Sequence, residues 1–272
     1  CHDHPLATDC QQDHYFGMAS FFNRTYRTRS GFVGEKFEGR LEFTTTAGDQ
    51  RTARLMFLTG ATVEESGPER DAETLKQLAE KIKLVQRKDD VEVPPQPEFS
   101  PRAELVRLAL ESPPPNHFAR NMVNRVWARL LGRGLVHPLD QMHSENPPSH
   151  PELLDGMAVD FSASGYDLRR LIRTVVLSRT YARSSLWEGS REPPAAELFA
   201  RGQVRALTPM QLAVSLRIAV APPERLSGLA GGTEWEAQRE QLEQEANGLA
   251  GRFEVPGDGF QVGVDEALYF SN

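Results

Sequence analysis

Apolar and polar residues change their rhythm along this chain, and each change marks an element. Tyr15, Phe16, Met18, Ala19, Phe21 and Phe22 follow a polar start and predict a loop leading into a buried helix. Alternation in Phe37-Glu38-Gly39-Arg40-Leu41-Glu42-Phe43, and again in Ala53-Arg54-Leu55-Met56-Phe57, predicts two strands with Ala47-Gly48-Asp49 as their turn. The period then lengthens: Leu75, Leu78, Ile82 and Val85 recur at helical spacing between Asp71 and Lys88, and Pro94, Pro95 and Pro97 break the chain. A domain boundary is placed near residue 97.

Beyond it the helical period dominates. Ser100-Pro101 starts a helix through about Ser112, which Pro113, Pro114 and Pro115 stop. From Asn116 to Leu131 the pattern buries Phe118, Met122, Val126, Trp127 and Leu130, with a basic opposite face and Gly132 at the left-handed exit. Ser149-His150-Pro151-Glu152 has the form of a capping box, in which Ser149 accepts from the backbone of Glu152 and Glu152 reaches back. The helix it opens runs to about Ser162. Gly165 ends that helix, Asp167 caps the next, and Leu168, Leu171, Ile172, Val175 and Val176 line one face. Thr208-Pro209-Met210-Gln211 opens a helix to about Ala219, and Thr233 to Ala246 reads as a more solvent-facing one. The expected fold is mainly α: a multi-helix domain with a small antiparallel β insert near residues 35–60.

Composition narrows the function classes. The 272 residues can bury one large core or two modest ones, and 39% hydrophobic with 25% charged residues is the balance of a globular domain. No apolar run approaches the ~20 residues of a membrane helix. The net charge of -7, with no long single-sign block, argues against a nucleic-acid partner. Two cysteines, Cys1 and Cys10, exclude a disulfide framework. The chain opens on Cys1 and stops in an apolar stretch, Asp265 to Asn272, so it is read as an internal piece of a longer polypeptide.

Two constellations carry candidate chemistry. Cys1, His2, Asp3 and His4, with Asp9, Cys10, Asp13 and His14 close behind, gather thiolate, imidazole and carboxylate donors, the groups that hold metals. The paired Cys/His spacing of a zinc module is absent, and turn hydrogen bonds explain His4 and Asp9 equally well. The second constellation is Arg120, Asn121, Asn124 and Arg125, followed by His143, Asn146 and His150. Arg120 with Asn124, and Asn121 with Arg125, share helical faces at a spacing able to grip a carboxylate, phosphate or sulfate, or to make ion pairs that hold a helix-loop-helix together. No Walker phosphate loop and no Gly-x-Ser-x-Gly elbow occurs.

These residues resemble a known pair of domains. Cys1-His2-Asp3-His4-Pro5, then Asp13-His14-Tyr15-Phe16 and Ala19-Ser20-Phe21-Phe22, is similar to the end of the Planctomycete cytochrome-c-like domain, whose motif opens Cys-x-x-Cys-His. Phe118-Ala119-Arg120-Asn121-Met122-Val123-Asn124-Arg125-Val126-Trp127, Gly132-Arg133-Gly134-Leu135-Val136, Asn146 to Asp155 and Ser178-Arg179-Thr180-Tyr181 resemble the Planctomycete-specific domain of unknown function. The resemblance implies that residues 1–97 hold the end of the first domain with the β insert and a connector helix. Residues 98–272 would be the second domain, incomplete at its C-terminus. It implies an exported or periplasmic protein, with a carbohydrate or a redox protein as partner.

By the same resemblance Cys1 would be the second thiol of a haem c attachment and His2 its axial ligand, the first thiol lying upstream. Cys10 and His14 depart from the residues usual at their positions. Three readings stand open: electron transfer through haem c, tied to polysaccharide breakdown; a metal-dependent enzyme acting on an anionic carbohydrate; and a non-catalytic binding or scaffold module.

Overall fold

The computed structural model describes residues 7, 11–89, 91–113, 115–189, 192–222 and 233–253, with the backbone alone for 233–235. The chain forms two compact units, one through Gly202 and one from Gln203. It is mainly α, with eight α-helices among the described residues and three small antiparallel hairpins. Among these residues no helix is long and apolar enough to cross a membrane.

The first unit begins with α1 (Gln12–Ser20), which lies over the β insert. Gln12, buried, donates to the Thr44 carbonyl at 3.2 Å and accepts from the Thr46 amide at 3.3 Å, while Phe16 stacks on Phe43 with centroids 4.1 Å apart. The hairpins are β1 (Thr25–Arg27) with β2 (Val33–Glu35), β3 (Glu42–Thr44) with β4 (Gln50–Thr52), and β5 (Leu55–Met56) with β6 (Thr62–Val63).

The two alternating runs therefore do not pair with each other. Only the last part of the Phe37–Phe43 run is strand, paired across the loop that holds Ala47-Gly48-Asp49, and the later run pairs onward with Thr62–Val63. The reason lies in Arg24, which is 5% exposed. Its guanidinium takes the carbonyls of Phe37 and Gly39, both at 3.2 Å, and so satisfies oxygens that a neighbouring strand would otherwise bond. Glu65 closes the other side of that guanidinium with two bonds of 2.7 Å, and the arginine holds its carboxyl below the ordinary glutamate range.

Helices follow where the sequence puts their signals. Asp71 caps α2 (Ala72–Val85) at the Thr74 amide, 2.9 Å away. Ser100 caps α3 (Pro101–Glu111) at Ala103, 3.1 Å, and Asn116 caps α4 (His117–Leu131) at Ala119, 2.7 Å. Gly132 leaves α4 at φ 89°, a conformation that favours glycine. The unit continues through α5 (Pro151–Ala163) and α6 (Leu168–Val176), with Asp167 capping the latter at Arg170, 3.0 Å.

Helix α4 is the centre of this unit, packed on α3, α5 and α6. Ala119, Val123, Trp127 and Leu131 form its buried seam, joined by Leu154, Ala158 and Phe161 of α5, Leu171 and Val175 of α6, and Phe199. That seam sits one residue further along than the expected set. Phe118 is exposed at the edge, while Met122, Val126 and Leu130 are partly buried flanks. In the second unit Thr208 and Gln211 form a capping box for α7 (Pro209–Val220), which packs on α8 (Thr233–Ala250). Ala213, Ala246 and Ala250 are small side chains that let the two helices approach closely, and Phe253, just past the end of α8, is buried in the same cluster.

Candidate functional site

Of the N-terminal donors, Cys1, His2, Asp3, His4, Asp9 and Cys10 lie outside the described residues. Asp13 and His14 stand in the first turn of α1. The Asp13 carboxylate is 3.7 Å from the Arg51 guanidinium, and His14 Nδ1 accepts the backbone N–H of Gln11 at 3.3 Å. Among the described residues no group of three or more His, Cys, Asp or Glu is placed to hold a metal ion.

The second constellation is described throughout, and it is built around the turn that follows α4. Asn124, on α4, is 0% exposed. Its amide nitrogen donates to the Val136 carbonyl and its oxygen accepts from the Val136 N–H, both at 2.9 Å, so one side chain meets both main-chain groups of that residue. The chain comes close enough because position 134 is glycine. A Cβ there would lie 2.3 Å from the Val136 oxygen and 2.9 Å from Asn124 Oδ1. Leu135 and Val136 are thereby pressed into the core beside Leu131.

The neighbouring polar residues bond in the same directions, toward main chain and helix flanks. Arg120 pairs with Asp155 of α5 at 2.9 Å, joining the two helices. Arg125 Nε donates to Asn121 Oδ1 at 2.8 Å on the exposed side of α4. Asn146 donates to the carbonyls of Gln141 (2.9 Å) and His137 (3.4 Å), which closes the loop between Val136 and α5. His143 lies half-buried in that loop, its backbone N–H bonded to Gln141 at 3.2 Å. Asn116, besides capping α4, donates to the Tyr166 hydroxyl at 3.0 Å, and that hydroxyl donates to the Leu110 carbonyl at 2.6 Å.

The expected capping box at Ser149 is not formed. His150 is the N-cap of α5, and no side chain caps that end. Ser149 instead bonds back to the Leu135 carbonyl, through its amide at 2.7 Å and its hydroxyl at 3.2 Å. A hydroxyl aimed at the turn after α4 cannot also reach the first amides of α5. His150 Nδ1 lies 3.1 Å from the Ser149 hydroxyl, and its ring is 5.9 Å from that of Phe199.

Each candidate therefore has a definite place. Arg120 pairs with Asp155, Asn124 is spent on Val136 and Asn146 donates to the loop carbonyls, whereas Arg125 donates to Asn121 on the surface. Pattern reading passed over the partners Val136, Asp155 and Tyr166, because an apolar residue, a helix acid and a turn tyrosine carry no signature of their own. Gly134 was visible, and two glycines flanking one arginine are a usable sign of a close main-chain approach.

The PSD1 family model, described as a protein of unknown function (DUF1553), matches residues 101–251. No curated protein and no solved structure matches the chain. The family match begins with α3 and takes in α4, its turn, α5 and α6, the elements that carry the Asn124–Val136 and Arg120–Asp155 contacts. With more than half of its residues inside that match, the chain belongs to the PSD1 family.

Proposed function

We propose that this chain serves as a non-catalytic scaffold module of a larger exported bacterial protein. The observation that carries the reading is the use made of the polar residues between Asn116 and Asp155. A catalytic site leaves donors and acceptors directed at the space its substrate will fill. Here the buried amide of Asn124 is spent on Val136, and Arg120 Nε is paired with Asp155 of the neighbouring helix.

Stability separates this reading from the enzyme reading. Residues kept for catalysis commonly cost stability, so replacing them leaves melting unchanged or raises it. Arg120→Met is expected to lower stability by about 1–2 kcal/mol, as loss of a half-buried ion pair does. Thermal unfolding followed by circular dichroism measures it, and a higher Tm for the variant would refute the scaffold role.

A second reading has its own support in the order Cys1-His2-Asp3-His4-Pro5, a thiol followed at once by an imidazole. Under it, Cys1 and a thiol three residues ahead of it would hold haem c, with His2 as the ligand. A polypeptide carrying that upstream thiol and matured in a periplasm is expected to give a pyridine haemochrome spectrum. A colourless product would dismiss the electron-transfer role.

A further inference from the structure

A cleft of about 980 Å3 opens in the first unit, away from the polar residues of α4 and α5. Arg24 and four pieces of chain line it: residues 36–40, residues 65–70, one face of α2, and residues 97–99. Its size lies at the upper end of the roughly 300–1,000 Å3 of small-molecule sites. The α2 face supplies an apolar floor, because Leu75, Leu78, Ala79 and Ile82 recur three and four residues apart and so fall on one stripe.

Above that floor stands a guanidinium already held in place. The Arg70 head lies 4.5 Å from the centroid of the Phe37 ring, and its Nη2 donates to both oxygens of Glu98, at 2.8 and 2.6 Å. Stacking and pairing together restrict a long side chain to one position, so little entropy is left to lose when something binds it. Only Nη2 is engaged: no described residue accepts from Arg70 Nε or Nη1.

Of the other lining cations, Lys83 donates to Glu80 at 2.8 Å. Arg24 spends its donors on Glu65 and two carbonyls and so belongs to the wall. Lys36 and Arg40, on either side of Phe37, are exposed at the rim with no ion pair to a described residue. Glu38 and Glu69 are exposed there too, so the rim is mixed, and the directed and restrained charge in the cleft is Arg70.

We propose that the cleft binds an amphipathic anion, an apolar body lying along Leu75, Leu78 and Ala79 whose carboxylate or sulfate head accepts from the unspent donors of Arg70. The site lies outside the family match and goes beyond the scaffold reading. It is a ligand-binding function of the β insert and α2, independent of what α4 and α5 do.

Isothermal titration of the whole chain with decanoate, decyl sulfate and decyltrimethylammonium, all below their micelle concentrations, tests it. Decanoate and decyl sulfate are expected to bind saturably, the tighter of the two naming the head group, and the cation at least about tenfold more weakly, a difference of about 1.4 kcal/mol. Arg70→Gln is expected to weaken the anion about tenfold and leave the cation unchanged, with Arg70→Lys in between; Leu78→Asp is expected to abolish anion binding. Absence of saturable binding, equal affinity for cation and anion, or full anion affinity in Arg70→Gln would overturn the proposal. Should a variant fail to fold by circular dichroism, the wild-type comparison of decanoate with the cation decides the matter alone. A failure here leaves the Arg120→Met result untouched, so the two readings fall separately.

Discussion

Asn124→Ala is expected to destabilise the first unit by about 3–5 kcal/mol, the largest effect of any single substitution among the polar residues of α4. The wild-type amide satisfies a buried N–H and a buried C=O of the same residue, Val136, at 2.9 Å each. Alanine leaves both groups in the core without a partner, and each such loss costs about 1–3 kcal/mol. Against a typical total of about 5–15 kcal/mol, that threatens the folded state itself. Urea unfolding measures it as a lower midpoint with an unchanged slope. A loss under about 1 kcal/mol would mean that the pinned turn is not what holds Leu135 and Val136 in place.

Asn124→Asp adds a pH signature. An ionised aspartate could accept from the Val136 N–H but would face the Val136 carbonyl with no proton to offer, so burial raises its folded-state pKa. Between the unfolded value near ~3.9 and the raised one, the folded state binds more protons. Stability is then greatest below the unfolded pKa and falls as pH rises, by up to about 1.4 kcal/mol per pH unit. An Asp variant whose stability rose with pH over that window would contradict the geometry.

The second large effect belongs to Glu35, which is 3% exposed at the end of β2. Its carboxylate accepts the Ser100 hydroxyl and the Arg102 backbone N–H (3.2 Å), and it pairs with the Arg102 side chain at 3.1 Å. All three partners sit at the first turn of α3, where the helix dipole favours a negative charge. Glu35→Ala is expected to cost about 3 kcal/mol, the low end for breaking a buried pair because the Arg102 side chain is 30% exposed and can reach water. Arg102→Ala should cost a similar amount, about 3 kcal/mol, because it leaves the buried Glu35 carboxylate with Ser100 and the amide but no counter-charge. Hydrogen exchange is expected to rise both in the β1–β2 hairpin and at the start of α3 in the Glu35 variant. Faster exchange in the hairpin alone would show that the carboxylate does not join the two.

Much of the helical architecture was legible residue by residue. Asp71, Ser100, Asn116, Asp167 and Thr208 each bond the amide three positions on, and Gly132 ends α4, because capping and left-handed exits depend on the few residues around one helix end. Alternation marked strand at the end of the first run and within the second, and the Gly-containing turn was legible, but it joins Glu42–Thr44 to Gln50–Thr52 and not to the second run.

What escaped depends on partners distant in sequence. The α4 seam runs Ala119, Val123, Trp127, Leu131 and not one residue earlier, since a pattern of hydrophobicity counts Asn124 as polar and tilts the expected face away from it. Only the approach of Val136, twelve residues on, makes that amide a core residue. Likewise Ser149 has the right neighbours for a cap and gives its hydroxyl to Leu135, fourteen residues back. The Phe37–Leu41 run alternates like a strand, yet Arg24 claims its carbonyls. Where helices start and stop was thus written in neighbouring residues, because capping is a local contest among adjacent groups. The tertiary structure decided which polar side chains go inside and what they hold, because a buried hydrogen bond is settled by whichever partner the fold brings within about 3 Å.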